Sequence, residues 1–224
     1  TGEDTLSLHD ALPILAEFVV GEARQPVTVA PKIEYSAKDL KRYVFVGTGR
    51  LLSLEDQGNS QQQTLYAFRD GTKSRAYGSE SHETALPGGV SFPITRAKMA
   101  AVTNLLAGAT TDNATPMGWY YDLTGRFTSA GKQAVTERIV LNLQANDGVV
   151  TWGGSILNDD PCNASGTTRL YSAYYGSGQS VLTTIVGGQR SRIEWLDLSP
   201  GLADVSLVRI GSRIGALGTD VSGG

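Results

Sequence analysis

The amino-acid sequence predicts an all-β fold of short strands and tight turns, a sandwich, barrel or propeller, carrying one short helix. Three observations lead there. A strand-turn-strand phrase occurs twice, as Val44-Phe45-Val46-Gly47-Thr48-Gly49 running on to Leu65-Tyr66-Ala67-Phe68, and as Val149-Val150-Thr151-Trp152-Gly153-Gly154 running on to Leu170-Tyr171-Ser172-Ala173. The spacing from the first valine to the Leu-Tyr pair is the same in both copies, and an aspartate, Asp56 or Asp159, sits in the polar loop between. Such internal repetition marks stacked small sheets. Finally, the 224 residues include 27 glycines, and the aromatic and β-branched runs between them read as short strands joined by tight turns.

Residues 1–15 form a head that is set apart from fold reasoning, because Ser7-Leu8-His9-Asp10-Ala11-Leu12-Pro13-Ile14 resembles the conceptual translation of a sequencing adapter. Fold reasoning covers 16–220. The run Pro-Val-Thr-Val-Ala-Pro at 26–31 alternates and is fenced by prolines, which cannot donate to a central ladder, so it predicts a short strand. Residues 42–48 are more continuously apolar and suit a strand buried on both faces, with Gly47 and Gly49 letting the chain bend at its end. A strand over 65–69 is closed by the turn signal Asp70-Gly71. The Gly-, Ser-, Glu- and Thr-rich stretch 71–93 reads as a long surface loop. Met99, Val102, Leu105 and Leu106 then recur at helical spacing between Thr95 and Gly108, which predicts one amphipathic helix over 95–107.

Further on, 118–123 place Trp119, Tyr121 and Leu123 on one strand face. Residues 136–144 alternate, with Ile139, Leu141 and Leu143 facing one way, and Asn146-Asp147-Gly148 turns the chain into a strand over 149–156 as a hairpin. A second hairpin is predicted from 170–175 and 180–186 around Gly176-Ser177-Gly178. A last strand is expected over 204–210, followed by a Gly-rich tail.

The formal net charge of -3 and the absence of Lys/Arg clusters argue against a nucleic-acid or anionic-membrane surface. No apolar run is long enough to span a bilayer. The single cysteine, Cys162, excludes a disulfide within these residues and reads as a small buried residue near a turn, since no His or basic cluster stands near it in sequence.

In order along the chain, Gln25-Pro26-Val27-Thr28 with Ala30-Pro31, Val44 to Arg50, Gln63-Thr64-Leu65-Tyr66 with Asp70, Gly118-Trp119-Tyr120-Tyr121-Asp122-Leu123, Glu137-Arg138-Ile139-Val140, and Pro161-Cys162 with Gly166 and Leu170-Tyr171 make up a set of phrases. Together they resemble the β-propeller domain of the PilC/PilY family, the type IV pilus biogenesis and tip-associated adhesins of Gram-negative bacteria. The resemblance covers 16–220 and implies a partial β-propeller of about four antiparallel blades, the C-terminal part of that propeller, in an exported protein at the pilus tip or outer membrane, with pilins, minor pilins and surface or host receptors as partners, and roles in pilus biogenesis and attachment. It also implies a calcium site in a loop with EF-hand-like spacing. The pattern D-x-[DN]-x-[DN]-G occurs nowhere here, so that site is expected outside these residues. Asp56-Gln57-Gly58-Asn59 and Asn158-Asp159-Asp160 are the nearest oxygen clusters, and both read as turn formers.

No catalytic, cofactor-binding or metal-binding residue is assigned, and the chain is read as a non-enzyme. G-x-x-x-x-G-K-[ST], G-x-S-x-G and H-E-x-x-H are all missing. His82, beside Glu80 and Glu83 in the polar loop, reads as solvated. Gly47-Thr48-Gly49-Arg50 lacks the lysine and following helix of a phosphate loop. Asn113-Ala114-Thr115 and Asn163-Ala164-Ser165 match the N-glycosylation sequon, a match without content in a bacterial protein. The aromatics Tyr66, Phe68, Trp119 and Tyr121 read as wedge packing between blades rather than as a glycan platform. The alternative functions are a quinoprotein-like dehydrogenase propeller, which would need a quinone and calcium, and an outer-membrane assembly scaffold without adhesive role.

Overall fold

A computed structural model describes residues 15–77, 86–87, 90–109, 117–127, 134–157, 166–198, 201–210 and 213–220. Strands β1 (Val19–Val20) and β2 (Ala23–Arg24) form a short ribbon. Strands β3 (Lys32–Ser36), β4 (Lys41–Gly47) and β5 (Thr64–Arg69) follow as a meander, with an α-helical turn, α1 (Leu54–Gln57), in the β4–β5 connection. Strands β6 (Ala100–Ala101) and β7 (Gly118–Asp122) complete a sheet in the order β3-β4-β5-β7-β6, antiparallel throughout except that β6 runs parallel to β7. A ribbon of β8 (Arg126–Phe127) and β9 (Val135–Thr136) comes next. The second sheet is wholly antiparallel and contains β10 (Gln144–Asn146), β11 (Val149–Ile156), β12 (Thr167–Tyr174) and β15 (Leu196–Leu198). Strands β13 (Thr183–Val186) and β14 (Gln189–Arg192) pair with each other, as do β16 (Leu202–Ile210) and β17 (Arg213–Asp220). The architecture is that of a partial β-propeller: among the described residues there are wedge-sized antiparallel sheets, a single α-helical turn, and no closed barrel.

Each copy of the repeated phrase forms the central hairpin of one large sheet, β4–β5 in the first and β11–β12 in the second. Side chains alternate along a strand, so each hairpin presents two faces. Leu65, Ala67, Tyr43 and Phe45 point from the first sheet into one apolar cluster, and Tyr171, Ala173, Val150 and Trp152 point into the same cluster from the second. Tyr66, Phe68, Val44 and Val46 point the other way, into a second cluster with Ala16, Ile94 and Met99. The Leu65 face of one copy therefore meets the Tyr171 face of the next, the head-to-tail stacking that repeated wedges require. Trp119, Tyr121 and Leu123 share the first cluster, as their alternation predicts.

Several expectations are corrected. No helix forms over 95–107: a 3₁₀ turn at Arg96–Lys98 leads into β6. Met99 enters the second cluster whereas Val102 and Leu105 enter the first, so their helical spacing reflects two cores rather than one stripe. The 26–31 segment is no strand; Val27 makes a single bridge to Gly49. Residues 136–144 do not run as one strand either. They divide into β9, an irregular crossing in which Arg138 bridges Ser155, and β10. The Asp147-Gly148 hairpin turn is present, with φ of 50° and 83°, as a tight primed turn demands. The 180–186 stretch does not pair with β12 beyond one bridge, Ala173 to Ser180; β13 folds on β14, and β15 is the partner of β12. The Gly-rich tail contains β17. In the 71–93 stretch the described backbone is irregular, yet Tyr77, Leu86, Val90 and Phe92 pack on the second cluster, so the described part covers a core.

Glycines sit where backbones approach. Gly47 and Gly49 lie under the 138–139 crossing: a Cβ on Gly47 would stand 2.5 Å from Ile139, and one on Gly49 2.8 Å from its backbone nitrogen. Gly118 has φ of 110°, and a Cβ there would strike the Ala67 carbonyl across the ladder. Gly118→Ala is expected to lower unfolding free energy by on the order of 3 kcal/mol in urea melts; an unchanged midpoint would mean β5 and β7 are not paired as described.

Candidate functional site

Three turns converge at one end of the two large sheets. The β3–β4 turn brings Lys38 and Asp39, with Leu40 at a φ of 58°. The β10–β11 turn brings Asp147 and Gly148, and the turn after β12 brings Tyr175, Gly176 and Ser177. Between them, with Tyr35, Tyr174 and Arg69 in the wall, opens a cleft of about 700 Å³, within the size range of ligand sites.

Tyr175 joins the two sheets at the base of this cleft. Its N–H donates to the Gly148 carbonyl at 2.9 Å, and its carbonyl accepts from Trp119 Nε1 at 2.6 Å. Its ring lies 4.8 Å from Phe45 and 5.7 Å from Tyr43. Its hydroxyl, in a residue 1% exposed, is buried beside the Gly148 backbone N–H, and Arg69 Nε is buried as well. Burial foremost, then the charges of Glu34 and Asp147, push the Tyr175 hydroxyl pKa up against a hydrogen bond from the Gly148 backbone, so it stays protonated. Tyr43, also raised by burial, donates to Asp39 Oδ2 at 2.5 Å, while Asp39 Oδ1 accepts from the Lys41 N–H at 3.3 Å. At the mouth Tyr174 is 43% exposed, with Lys38 Nζ 5.8 Å from its ring centre; Lys73 Nζ stands 5.6 Å from that of Tyr35.

The opposite end of the seam is closed. Glu137 is fully buried: Oε1 accepts from the Tyr171 hydroxyl at 2.8 Å, Oε2 from the Gly125 N–H at 2.7 Å, and Arg169 stands 3.8 Å away. Burial raises its pKa, opposed by those two hydrogen bonds. A Cβ on Gly154 or Gly125 would strike its carboxylate, so the group is walled in and serves the fold. Arg138 donates to the carbonyls of Arg50, Asp56 and Asn59. Arg96 forms a paired contact with Asp122 at 2.9 and 2.6 Å and lies 3.9 Å over the Tyr120 ring.

The oxygen cluster at 56–59 does not fit a calcium cage. Asp56 Oδ1 accepts from Arg50 at 2.7 Å and Oδ2 from the N–H groups of Leu52 and Ser53, while Asn59 Oδ1 accepts from the Gln61 N–H. Its oxygens thus tie down α1. Among the described residues no three His, Cys, Asp or Glu side chains gather as a metal site would need, and no helix there is long and apolar enough to cross a membrane. Gly47-Thr48-Gly49 makes room for Ile139, whose N–H donates to the Thr48 carbonyl at 3.0 Å. Tyr66, Phe68, Trp119 and Tyr121 are buried packing residues. The 158–160 cluster, His9, His82 with Glu80 and Glu83, Cys162 and both sequons lie outside the described residues. Sequence reasoning missed Tyr35, Tyr174 and Tyr175 as a group; tyrosines flanking turns at one sheet end were the available signal.

Fold and site define a β-propeller-like module in which, among the described residues, the buried carboxylates are engaged and an inter-sheet cleft is open. No family model matches the chain, and no curated protein does. Among solved structures it is similar to the C-terminal domain of PilY1 from Pseudomonas aeruginosa, at a TM-score of 0.60 and 16% identity, covering 92% of this chain and 46% of that one. The chain has the fold of that domain and spans about half its length.

The Leu52 and Ser53 N–H groups, with Arg50, hold the Asp56 pKa down to about 2. A depressed carboxylate contributes stability above its unfolded pKa that is lost as pH falls through the folded one. Comparing the chain with Asp56→Asn is therefore expected to show a stability difference near neutral pH that shrinks between about pH 4 and pH 2; a pH-independent difference would overturn this role for the carboxylate.

Proposed function

We propose that the chain is a non-catalytic propeller module of a type IV pilus assembly and tip adhesin protein of the PilC/PilY kind, exported to the cell surface, where it supports pilus biogenesis and attachment. One observation carries the reading: the likeness to the PilY1 C-terminal domain runs over 92% of the chain, and PilY1 bears the name of the family to which the ordered phrases independently point. A binding and structural role also agrees with the site chemistry. The buried acid Glu137 is enclosed by backbone, and the Asp56 and Asp122 carboxylates are held by arginines, so none is poised toward a substrate. The proposed partners are pilins or minor pilins and surface receptors.

Deletion of the whole gene in the source bacterium is expected to reduce surface piliation, twitching and attachment, read by electron microscopy and by motility and adhesion assays. Wild-type piliation and twitching after deletion would overturn the proposal.

A further inference from the structure

The ribbon of β13 and β14 has no core of its own. After Ser180 bridges Ala173, the chain leaves the edge of β12, runs out along β13, turns back along β14 and returns to that edge as β15. The turn, Gly187-Gly188, has φ of 59° and 80°, the primed geometry of a two-residue hairpin. All four residues of β14 are exposed, as are Thr183, Ile185 and Val186 of β13. Two strands alone are marginal in water, and among the described residues this ribbon pairs with no other strand. The register fixes what its free edge presents. The Ile193 N–H donates to the Leu182 carbonyl, so alternation gives the remaining ladder bonds to the pairs 184–191 and 186–189. The N–H and C=O groups of Arg190 and Arg192 consequently point away from β13. Side chains two apart share a face, which sets both guanidinium groups on one side of that edge. They are the charged groups of 183–192, and neither forms an ion pair with a described residue.

We infer that the free edge of β14 is a docking site for an extended acidic peptide, added as a third strand with carboxylates at alternate positions. Backbone pairing gives the outward N–H and C=O groups of Arg190 and Arg192 their partners, as strand addition does at other open sheet edges. Residues of the added strand opposite the two arginines lie on the guanidinium face and two positions apart, so Glu or Asp at both meets one arginine each. Ile185, across from Arg190, adds exposed apolar surface to the same face. The β13 edge carries no charged side chain and selects nothing by charge. An anionic polysaccharide would meet the arginines but leave the backbone edge unpaired. None of the strands β1 to β17 carries two acidic residues two positions apart, so a second copy of these strands does not supply the occupant. The inference rests on the ribbon and not on the pilus reading.

The test is an NMR titration of the isotope-labelled, whole 224-residue chain with the capped peptide Thr-Val-Glu-Val-Glu-Val-Thr. Saturable shifts of the Arg190 and Arg192 amides are expected. Placing the two Glu side by side puts their carboxylates on opposite faces and is expected to weaken binding about threefold. Lys in place of both Glu, or N-methylation of both Glu, which removes the N–H groups that face β14, is expected to abolish it. Arg190→Glu combined with Arg192→Glu, both at exposed positions, is expected to reverse the preference toward the Lys peptide with folding intact by circular dichroism; the N-methylated comparison needs no variant. No saturable shift with the alternating Glu peptide, equal binding of its N-methylated form, shifts confined to residues away from β14, or an unchanged preference in the folded double variant would overturn the inference. None of these outcomes bears on the pilus reading, which is judged on gene deletion.

Discussion

The structure depends on an aromatic seam between its two large sheets. Trp152 and Tyr171 stack at 4.9 Å on the second sheet, and Tyr121 reaches them from the first at 6.5 and 5.8 Å. Phe45 and Tyr43 meet Tyr175 farther along. Pairs of this kind add about 0.5–1.5 kcal/mol each beyond the apolar area they bury. A small sheet with one apolar face is marginal by itself, so neither wedge is stable until this face is covered by the other. Tight turns, glycines and buried charges can all be understood as what lets two twisted sheets come close enough for these rings to touch.

Burying large aromatics brings their polar ends inside, and each end of the seam handles this differently. Trp119 Nε1 finds the Tyr175 carbonyl, and the Tyr171 hydroxyl finds Glu137. Glu137 and Arg138 in turn belong to an irregular crossing that laces the assembly: the Glu137 N–H donates to the Gly125 carbonyl, Arg138 exchanges both backbone bonds with Ser155, and the Ile139 N–H donates to Thr48. A regular strand over 136–144 could not bond to three different backbones in succession. Burying the Glu137 carboxylate works against its ionised form, and such groups persist where breaking the arrangement would cost more than keeping it. The crossing thereby fixes how the second wedge sits on the first.

Much of this was legible in the sequence, for a physical reason. The repeated phrase has period-two alternation, and burial of both faces of β4 and β5 requires the continuous apolar run that Val44 to Val46 and Leu65 to Phe68 display. The Asp147-Gly148 turn was equally plain, because few residue pairs accept positive φ twice. What misled was spacing that two causes share. Met99, Val102 and Leu105 fall at helical intervals while serving clusters on opposite sides of one sheet. Gly215 and Gly218, which suggest a tail, sit within β17, where cross-strand pairing overrides low strand propensity. The cleft was not legible because its residues are far apart in sequence and meet only through sheet stacking.

The two ends of the seam also explain why a site would lie where it does. Around Glu137 the glycines at 125 and 154 bring backbone onto the carboxylate, leaving no volume for anything else. At the Tyr175 end the sheets finish in three turns, and turns splay where strands no longer pair. Aromatic rings from β3 and β12 remain, but the facing wedge has run out, so Tyr35 and Tyr174 line a cleft instead of a core. Stacked wedges offer binding surface at their loop ends because packing there is incomplete by construction. One end of the interface is thus closed by backbone and glycine, and the other is left open among its turns.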